Sequence, residues 1–270
     1  GSCKKVDINF LPNETLLIFD WDDTLFNGHA LYHEVFVDMF EHFHEKYGIE
    51  PNGFTREEFD FNTHRVKRNA LGEETFKSTR DFWIHTYGEE IGNEAMEYMQ
   101  ERLRDPDLNL AGKEMPQARE LLTWLKAHHI PFAIASNSQQ DVVEQYAKGT
   151  FGDLVKGVPI IGRNVESPDA RTIMPKKPEP DMLYKALEQL GLPASENILM
   201  VGDQFSSDGI SGLRAGLTPT IILHQAKPAD AELAAQYNVD YSKTQYADTL
   251  ADLFDALKQA KQQERFTIKK

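Results

Sequence analysis

The sequence predicts an α/β protein built on a doubly wound parallel β-sheet, with an all-helical segment inserted after the first strand. Along most of the chain, short and continuous apolar runs alternate with helical patterns. The exception is a stretch of about 85 residues after the first run, which contains helical patterns only. The apolar runs lie at 15–19, 130–135, 158–161, 197–201 and 218–223.

Each apolar run is predicted to be a strand that is buried on both faces. The runs do not alternate between apolar and polar residues, which is typical of parallel strands covered by helices on both sides. Strands that alternate with helices favour a doubly wound sheet. Helices are predicted at 115–128, 180–190, 208–215 and 246–258, and Ser138 is predicted to open a further helix.

The inserted segment, 27–112, is predicted to be a separate helical domain. Its first helix carries an aromatic stripe between positions 32 and 47. Thr55 followed three residues later by Glu58 is a capping-box pattern, and it predicts the start of a second helix. The predicted domains are therefore a core of 1–26 and 113–270 and an insert of 27–112.

Composition excludes several classes of function. The 270 residues carry a formal net charge of −14, which disfavours binding to the phosphate backbone of nucleic acids. No apolar run approaches the roughly 18 residues of a membrane span. The single cysteine, Cys3, cannot form an intrachain disulfide, and no signal-peptide pattern follows residues 1–5. We therefore expect a cytoplasmic protein with no nucleic-acid or membrane partner.

Polar side chains follow three of the predicted strands, and a lysine lies in a loop nearby. Because the carboxyl ends of parallel strands meet at one edge of a sheet, these side chains are expected to form one site. Carboxylates suit Mg²⁺, hydroxyl and ammonium groups suit anionic oxygens, and an aspartate can accept a phosphoryl group. The residues are Asp20, Asp22, Ser136, Asn137, Lys177, Asp203 and Asp208.

Four segments resemble the four motifs of the haloacid dehalogenase (HAD) superfamily of phosphohydrolases, in the family order. The resemblance spans about residues 15–224, and the helical insert resembles the family's C1 cap. It implies a Rossmann-like core with a C1 cap domain, and a Mg²⁺-dependent phosphomonoester hydrolase. The segments are Asp20-Trp21-Asp22-Asp23-Thr24, Ser136-Asn137, Lys177-Pro178-Glu179-Pro180-Asp181, and Gly202-Asp203 with Asp208.

The resemblance implies a role for each matching residue. Asp20 is the nucleophile that forms an aspartyl phosphate, and Asp22 is the general acid and then the general base. Thr24 orients the first motif. The implied phosphate-binding residues are Ser136, Asn137 and Lys177, of which Ser136 and Lys177 also act in catalysis. The implied Mg²⁺ ligands are the carboxylates of Asp20 and Asp203 and the main-chain carbonyl of Asp22, with Asp208 close to the ion or reaching it through water.

Two departures from the family pattern leave alternatives. Lys176 and Lys177 are adjacent, so either can supply the ammonium group, and the Pro-Glu-Pro-Asp that follows favours Lys177. Asp23 adds a third carboxylate to the first motif, and we expect it to point away from the site. Dehalogenating members of the family lack an acid at the position of Asp22, so its presence favours a phosphate substrate.

The insert is predicted to select the substrate. A helical cap that closes over the nucleophile favours a small soluble phosphorylated metabolite, such as phosphoglycolate, a sugar phosphate or a nucleoside monophosphate. Arg65, Arg68 and Arg80 are candidate ligands for a substrate anion in an otherwise acidic segment. The alternative interpretation of this basic cluster is a solvated helix face.

Two further functions fit part of the pattern. A phosphomutase or phosphonatase of the same superfamily would also use Asp20, and a phosphonatase would need a cap lysine such as Lys46 or Lys77 to form a Schiff base. A non-enzymatic alternative is a receiver-like switch that stores a phosphoryl group on an aspartate. A receiver domain has a similar sheet, but it is roughly half as long and has no helical insert.

Overall fold

The computed structural model describes residues 4–6, 8, 11, 14–68, 74–163, 174–222 and 226–268. The chain divides into two compact units. We call Gly1–Asn27 with Glu114–Lys270 the sheet unit, and Gly28–Lys113 the helical unit. Within the ranges just given, no helix is both long enough and apolar enough to cross a membrane. Cys3 lies outside the described residues.

The sheet unit is built on a parallel β-sheet, which confirms the predicted α/β class. Its strands are β1 (Lys4–Lys5), β2 (Leu16–Phe19), β3 (Phe132–Gln139), β4 (Ile160–Arg163), β5 (Ile198–Gly202), β6 (Thr218–Ile222) and β7 (Gln245–Ala247). They are ordered β1-β7-β6-β5-β2-β3-β4. Every neighbouring pair is parallel.

The described residues also form nine α-helices. Pro180 precedes one of them and Gly191, at φ 74°, ends it, as predicted. The helical unit contains α1 (Gly28–Tyr47), α2 (Thr79–Tyr87) and α3 (Glu89–Leu103). The sheet unit contains α4 (Ala118–Ala127), α5 (Gln140–Phe151), α6 (Asp181–Leu190), α7 (Ile210–Arg214), α8 (Pro228–Gln236) and α9 (Leu250–Ile268).

The two central strands are the most deeply buried part of the sheet unit. Every residue of β2 and β5 is buried. On one face of the sheet, Leu16 and Ile18 pack in a cluster with Met182 and Leu183 of α6. Burying one such side chain contributes roughly 1.5–3 kcal/mol. The residues that directly follow β2 and β5 are therefore attached to the most firmly held strands of the fold.

Ser138 is not the start of a helix, contrary to the prediction. β3 continues through Ser138 to Gln139, and α5 begins at Gln140. The pairing register between β3 and β4 shifts between Ala135 and Gln139. This irregularity prolongs the strand beyond the apolar run, where the sequence gives no signal for an extended backbone.

The start of the C-terminal helix is also different from the prediction. Gln245–Ala247 form β7, which pairs with both β1 and β6, and α9 begins at Leu250. β7 has three residues, and two of them carry a polar group. A strand this short and this polar has no alternating or apolar pattern that distinguishes it from the first turn of a helix.

The helical unit has an aromatic core on α1, as its sequence stripe predicts. Phe36, Phe40 and Phe43 of α1 are buried, as are Phe82 and Trp83 of α2. The ring centroids of Phe36 and Trp83 are 4.8 Å apart. Offset and edge-to-face packing of such rings contributes beyond the area that they bury.

The predicted capping box at Thr55 forms, but it does not open an α-helix. The Thr55 amide donates to Glu58 Oε1 at 2.8 Å, and the Glu58 amide donates to Thr55 Oγ1 at 3.2 Å. The chain then buries Phe59 against Phe40, with centroids 4.8 Å apart. A five-residue π-helical turn, Phe61–Arg65, comes next. Aromatic burial therefore ends the helical turn that the capping residues begin.

The side chain of Gln140 protects the free edge of β4. Its Nε2 donates to the carbonyl oxygen of Ile160 at 2.8 Å, and its Oε1 accepts from the amide of Gly162 at 2.5 Å. These are the kind of backbone groups that a further strand would pair with. An unprotected edge invites pairing with other chains, so Gln140 closes this end of the sheet.

We expect Gln140→Ala to lower the free energy of unfolding by about 1–2 kcal/mol, because it leaves two strand groups without their partners. Thermal unfolding followed by circular dichroism measures the loss. Gln189→Ala, on the exposed surface of α6, is the matched control and should change stability by less than about 0.5 kcal/mol. Equal stability of the two variants would contradict the proposed edge protection.

Candidate active site

The carboxyl ends of β2 and β5 bring two aspartates to one edge of the sheet. Asp20 follows β2, and its amide donates to the carbonyl oxygen of Val201 in β5 at 2.8 Å. Asp203 follows Gly202, the last residue of β5. β2 and β5 are parallel neighbours, so the two side chains emerge at the same edge. The sequence predicted this juxtaposition from the strand ends alone.

The ammonium group of Lys177 lies at the centre of these carboxylates. Its Nζ donates hydrogen bonds to Asp20 Oδ1 at 2.9 Å, Asp208 Oδ1 at 2.7 Å and the carbonyl oxygen of Ala135 at 2.7 Å. The Lys177 side chain is only 1% exposed. Burial acts to lower the pKa of Lys177, but the charges of Asp20 and Asp208 outweigh it and raise that pKa. Lys177 therefore stays charged.

Asn137 holds the main chain of Lys177 in place. Its Nδ2 donates to the Lys177 carbonyl oxygen at 3.0 Å, and its Oδ1 accepts from the Lys177 amide at 2.8 Å. The predicted phosphate contact of Asn137 stays a prediction, because its amide is bound to Lys177 in this structure. Lys176 is exposed, so Lys177 is the lysine that carries its charge into the cluster.

The three aspartates of the cluster repel one another. Burial, followed by the charges of Asp20 and Asp208, raises the pKa of Asp203. Burial and the charge of Asp20 also raise the pKa of Asp208, against the opposing effect of Lys177. A single ammonium group is thus too little positive charge for the carboxylates around it.

Asp208 reaches the cluster because residue 202 is glycine. A Cβ at Gly202 would collide with the Asp208 carboxyl group. The other Asp208 oxygen, Oδ2, accepts from the amide of Gln204 at 3.2 Å. The glycine before Asp203 therefore makes room for the second acid of the same motif.

The donor set fits a divalent cation. One carboxylate oxygen from each of Asp20, Asp203 and Asp208 lies within 4.8 Å of the others, and all three residues are buried. Oxygen ligands with excess negative charge suit a hard dication. Such an ion would relieve the repulsion that raises the pKa values of Asp203 and Asp208.

Asp22 is the second acid of the first motif, and it has a different environment. Burial raises its pKa to about 7, and the charges of Asp20 and Asp23 add to this effect. A hydrogen bond from Ser138 Oγ to Asp22 Oδ2, 2.7 Å long, acts to lower that pKa. The charge of Asp23 also acts to raise the pKa of Asp203. The expectation that the Asp23 side chain points away from the site stays a prediction.

The remaining site residues of the first two motifs support these acids. Thr24 Oγ1 donates to Asp20 Oδ2 at 3.4 Å, in line with the orienting role expected for Thr24. Ser136 is buried, and its Oγ accepts from the amide of Ser138 at 3.1 Å. The sequence analysis missed Ser138 as a site residue. No sequence signal marked it, because the apolar run ends at Ala135 and only the structure shows that β3 continues through Ser138.

The three arginines predicted to bind substrate have partners within the helical unit. Arg65 donates to the carbonyl oxygen of Phe76 at 3.4 Å and to Thr79 Oγ1 at 3.1 Å. Arg68 pairs with Glu74 at 3.1 Å, and Arg80 donates to Asn93 Oδ1 at 2.7 Å. Arg68 and Arg80 are exposed, and Arg65 is partly buried. Their contact with a substrate stays a prediction.

The acid cluster predicts a distinctive pH dependence for the metal-free protein. Asp22, Asp203 and Asp208 have folded-state pKa values above the ordinary 3.8. Between about pH 5 and pH 8 the folded state therefore binds more protons than the unfolded state, so stability falls as pH rises. We expect the melting temperature of EDTA-treated protein to be at least about 3 °C lower at pH 8 than at pH 5.5.

The matched variant for this measurement is Asp203→Asn, which removes one of the raised carboxyls. Its melting temperature should fall less over the same pH interval than that of the wild type. Excess Mg²⁺ at pH 8 should raise the wild-type melting temperature and should raise that of Asp203→Asn much less. A wild-type protein whose stability rises from pH 5.5 to pH 8 in EDTA would contradict the mutual repulsion of these acids.

Comparisons with known proteins agree with this architecture. A Drosophila melanogaster protein named "Probable pseudouridine-5'-phosphatase" is 24% identical over 242 residues, which are 87% of this chain and 95% of that protein. A HAD-superfamily hydrolase of subfamily IA from Geobacter sulfurreducens superposes with a TM-score of 0.58, at 16% identity over 90% of this chain and 96% of that one.

A further solved structure is a HAD family hydrolase from Deinococcus radiodurans, determined with bound phosphate and sodium. Its TM-score is 0.56, at 20% identity over 91% of this chain and 95% of that one. Both structural likenesses show the fold. The profile of the haloacid dehalogenase-like hydrolases matches residues 15–216, which contain every motif described above. This chain is a hydrolase, and it belongs to the haloacid dehalogenase-like family.

Proposed function

We propose that this protein is a cytoplasmic, Mg²⁺-dependent phosphomonoester hydrolase that acts on a small soluble phosphorylated metabolite through an aspartyl phosphate on Asp20. The observation that carries the proposal is the ion pair between Asp20 and the buried Lys177, beside Asp203 and Asp208. The relative named as a phosphatase supports it. Membership of a hydrolase family removes the receiver-like switch from consideration.

The proposed reaction has two halves, each using one of the acids of the first motif. First, an Asp20 oxygen bonds to phosphorus as the bond to the leaving oxygen breaks, and Asp22 donates a proton to that oxygen. Water then attacks the phosphorus of the aspartyl phosphate and gives its proton to Asp22. Inorganic phosphate leaves, and the Asp20 carboxylate is restored.

Lys177 and Ser136 are proposed to hold the phosphoryl oxygens during both halves. Lys177 also orients Asp20 through their 2.9 Å hydrogen bond. Fixed positive charge and fixed donors are effective here because charge spreads over the oxygens of the transferring group. The two hydrogen bonds between Asn137 and the Lys177 main chain fix the backbone from which the ammonium group extends.

The proposed Mg²⁺ ligands are the carboxylates of Asp20, Asp203 and Asp208 and the main-chain carbonyl of Asp22. The carboxylates of this set gather in one buried cluster. When bound, the ion would supply positive charge against the phosphoryl oxygens. The excess of carboxylates over ammonium groups in the site is the reason to expect this requirement.

The segment 27–112 is proposed to be the cap that selects the substrate, while 1–26 and 113–270 carry the chemistry. All four motifs lie outside the cap. Substrates to test are pseudouridine 5′-phosphate, because of the relative's name, with phosphoglycolate, sugar phosphates and other nucleoside monophosphates. Inorganic phosphate released in the presence of Mg²⁺ is the measurement.

Two measurements, phosphate release and borohydride trapping, separate the alternative reactions. A phosphomutase would yield an isomeric phosphate ester with little free phosphate. A phosphonatase would form a Schiff base that borohydride traps on a cap lysine. Lys46 is exposed and ion-paired with Glu94. Lys77 and Lys67, a third cap lysine that the sequence analysis passed over, are also exposed. None of these three side chains has the buried environment that makes a lysine nucleophilic. Lys113, the last residue of the helical unit, is buried but forms an ion pair with Glu34 at 3.1 Å.

We expect Asp20→Asn to lower kcat by at least about 10³-fold on every substrate, because the amide cannot form the aspartyl phosphate. The assay uses 4-nitrophenyl phosphate with Mg²⁺, and circular dichroism checks the fold. The control is Asp248→Asn, an exposed aspartate of the sheet unit, which should retain wild-type kcat. Turnover by a folded Asp20→Asn protein within tenfold of wild type would refute the nucleophile.

We expect Arg65→Ala, Arg68→Ala or Arg80→Ala to raise KM for the physiological substrate by about tenfold, with kcat nearly unchanged. Loss of binding that is equal in the ground and transition states appears in KM alone. The control for Arg68 is Glu74→Gln, which breaks the same ion pair and keeps the arginine. If all three arginine variants keep the wild-type KM, none of these arginines binds the substrate. If Glu74→Gln raises KM as much as Arg68→Ala does, the effect of Arg68 comes from its ion pair with Glu74 and is structural.

A further inference from the structure

Ser138 makes a hydrogen bond to Asp22 that has no part in the two halves of the proposed reaction as they stand. Its Oγ donates to Asp22 Oδ2 at 2.7 Å, across 116 positions of sequence. Both residues belong to the sheet unit. Ser138 lies outside the four motif segments, and both side chains are only partly exposed.

The irregular end of β3 explains how Ser138 reaches Asp22. The strand continues to Gln139, with its register shifted relative to β4 after Ala135. Ser136 and Ser138 are therefore two positions apart on an extended backbone, and the Ser138 amide donates to Ser136 Oγ at 3.1 Å. One strand end thus offers two hydroxyl groups, and only Ser138 touches Asp22 among the contacts described above.

We propose that Ser138 is a positioning residue that holds the Asp22 carboxyl group in the orientation needed to give a proton to the leaving oxygen. This inference rests on the proposed phosphatase function. A serine hydroxyl has one proton to donate, and here it is directed at Oδ2. The other oxygen, Oδ1, is left to carry the transferred proton.

The contact suits both halves of the reaction. When Asp22 carries its proton on Oδ1, Oδ2 is a carbonyl-type oxygen and still accepts from Ser138. When Asp22 is ionised, Oδ2 accepts as part of the carboxylate. The side chain can therefore keep one orientation while its proton leaves and returns. Misplacement of a reacting group by about 1 Å can cost about 10²-fold in rate.

The distinguishing measurement is the dependence of kcat on the leaving group. A poor leaving group, such as an alkyl alcohol, needs a proton as its bond to phosphorus breaks, whereas 4-nitrophenolate leaves readily without one. A residue that orients the general acid should therefore matter for an alkyl phosphate and hardly at all for the aryl ester. A residue that only stabilises the fold would change both rates together.

The experiment measures kcat of four proteins on glycerol 3-phosphate, as the alkyl ester, and on 4-nitrophenyl phosphate, both with Mg²⁺. They are the wild type, Ser138→Ala, Ser138→Thr, which keeps the hydroxyl group, and Asp22→Ala as the reference for complete loss of the acid. We expect Ser138→Ala to lose about 10- to 100-fold on the alkyl ester and less than about threefold on the aryl ester. Ser138→Thr should remain near wild type on both.

Two further variants make the result secure. Ser242→Ala removes another serine-to-aspartate hydrogen bond, 2.6 Å long, on the surface of the sheet unit, and should leave both rates unchanged. Ser138→Cys keeps the size of the side chain but donates weakly, so it should behave as Ser138→Ala does. It preserves the test if the alanine variant does not fold.

Equal losses on the two esters, or no loss on either, would overturn the positioning role. If Ser138→Cys and Ser138→Thr were both as active as wild type on the alkyl ester, the hydrogen bond would also be unnecessary and the proposal wrong. A wild-type protein that hydrolyses neither ester, nor any metabolite of the screen, would instead refute the proposed function, and with it the reaction in which Ser138 acts.

Discussion

The pairing of the buried Lys177 ammonium group with Asp20 and Asp208 is the interaction on which the rest of the site depends. Either sign of charge alone in this position would cost several kcal/mol of desolvation. The ammonium and the carboxylates are therefore buried together or not at all. The adjacent ends of β2 and β5 supply the acids, and Asn137 fixes the lysine main chain among them.

That pairing leaves the site with an excess of negative charge. Asp203 adds a further carboxylate, and its raised pKa reflects burial and the charges of Asp20 and Asp208. Without a metal ion, the carboxylates must either bind protons or repel one another. A bound dication would reduce that repulsion without protonation of the carboxylates. The feature that lowers stability at neutral pH is thus the feature that gives the site affinity for a hard metal ion. Gly202 is needed for this arrangement, because a side chain at that position would displace Asp208.

The sequence predicted those parts of the fold and site that follow from continuous local patterns. Apolar runs identified β2 and β5, and the aspartates directly after them were therefore expected to meet at one edge of the sheet. β1 and β7 could not be found this way, because strands of two or three residues, mostly polar, form only when a neighbouring strand pairs with them. Thr55 shows the reverse case, since its capping contacts form without opening an α-helix.

Ser138 shows why side-chain contacts at irregular backbone lie beyond sequence reasoning. A serine before a polar, amphipathic segment has the pattern of a helix cap, and both interpretations need the same hydroxyl group. The register shift after Ala135 decides between them, because it keeps the strand extended for one more pair of residues. The hydroxyl then points at Asp22 Oδ2 rather than at a helix amide. Which donor Asp22 meets is therefore set by strand pairing elsewhere, and the local sequence carries no record of it.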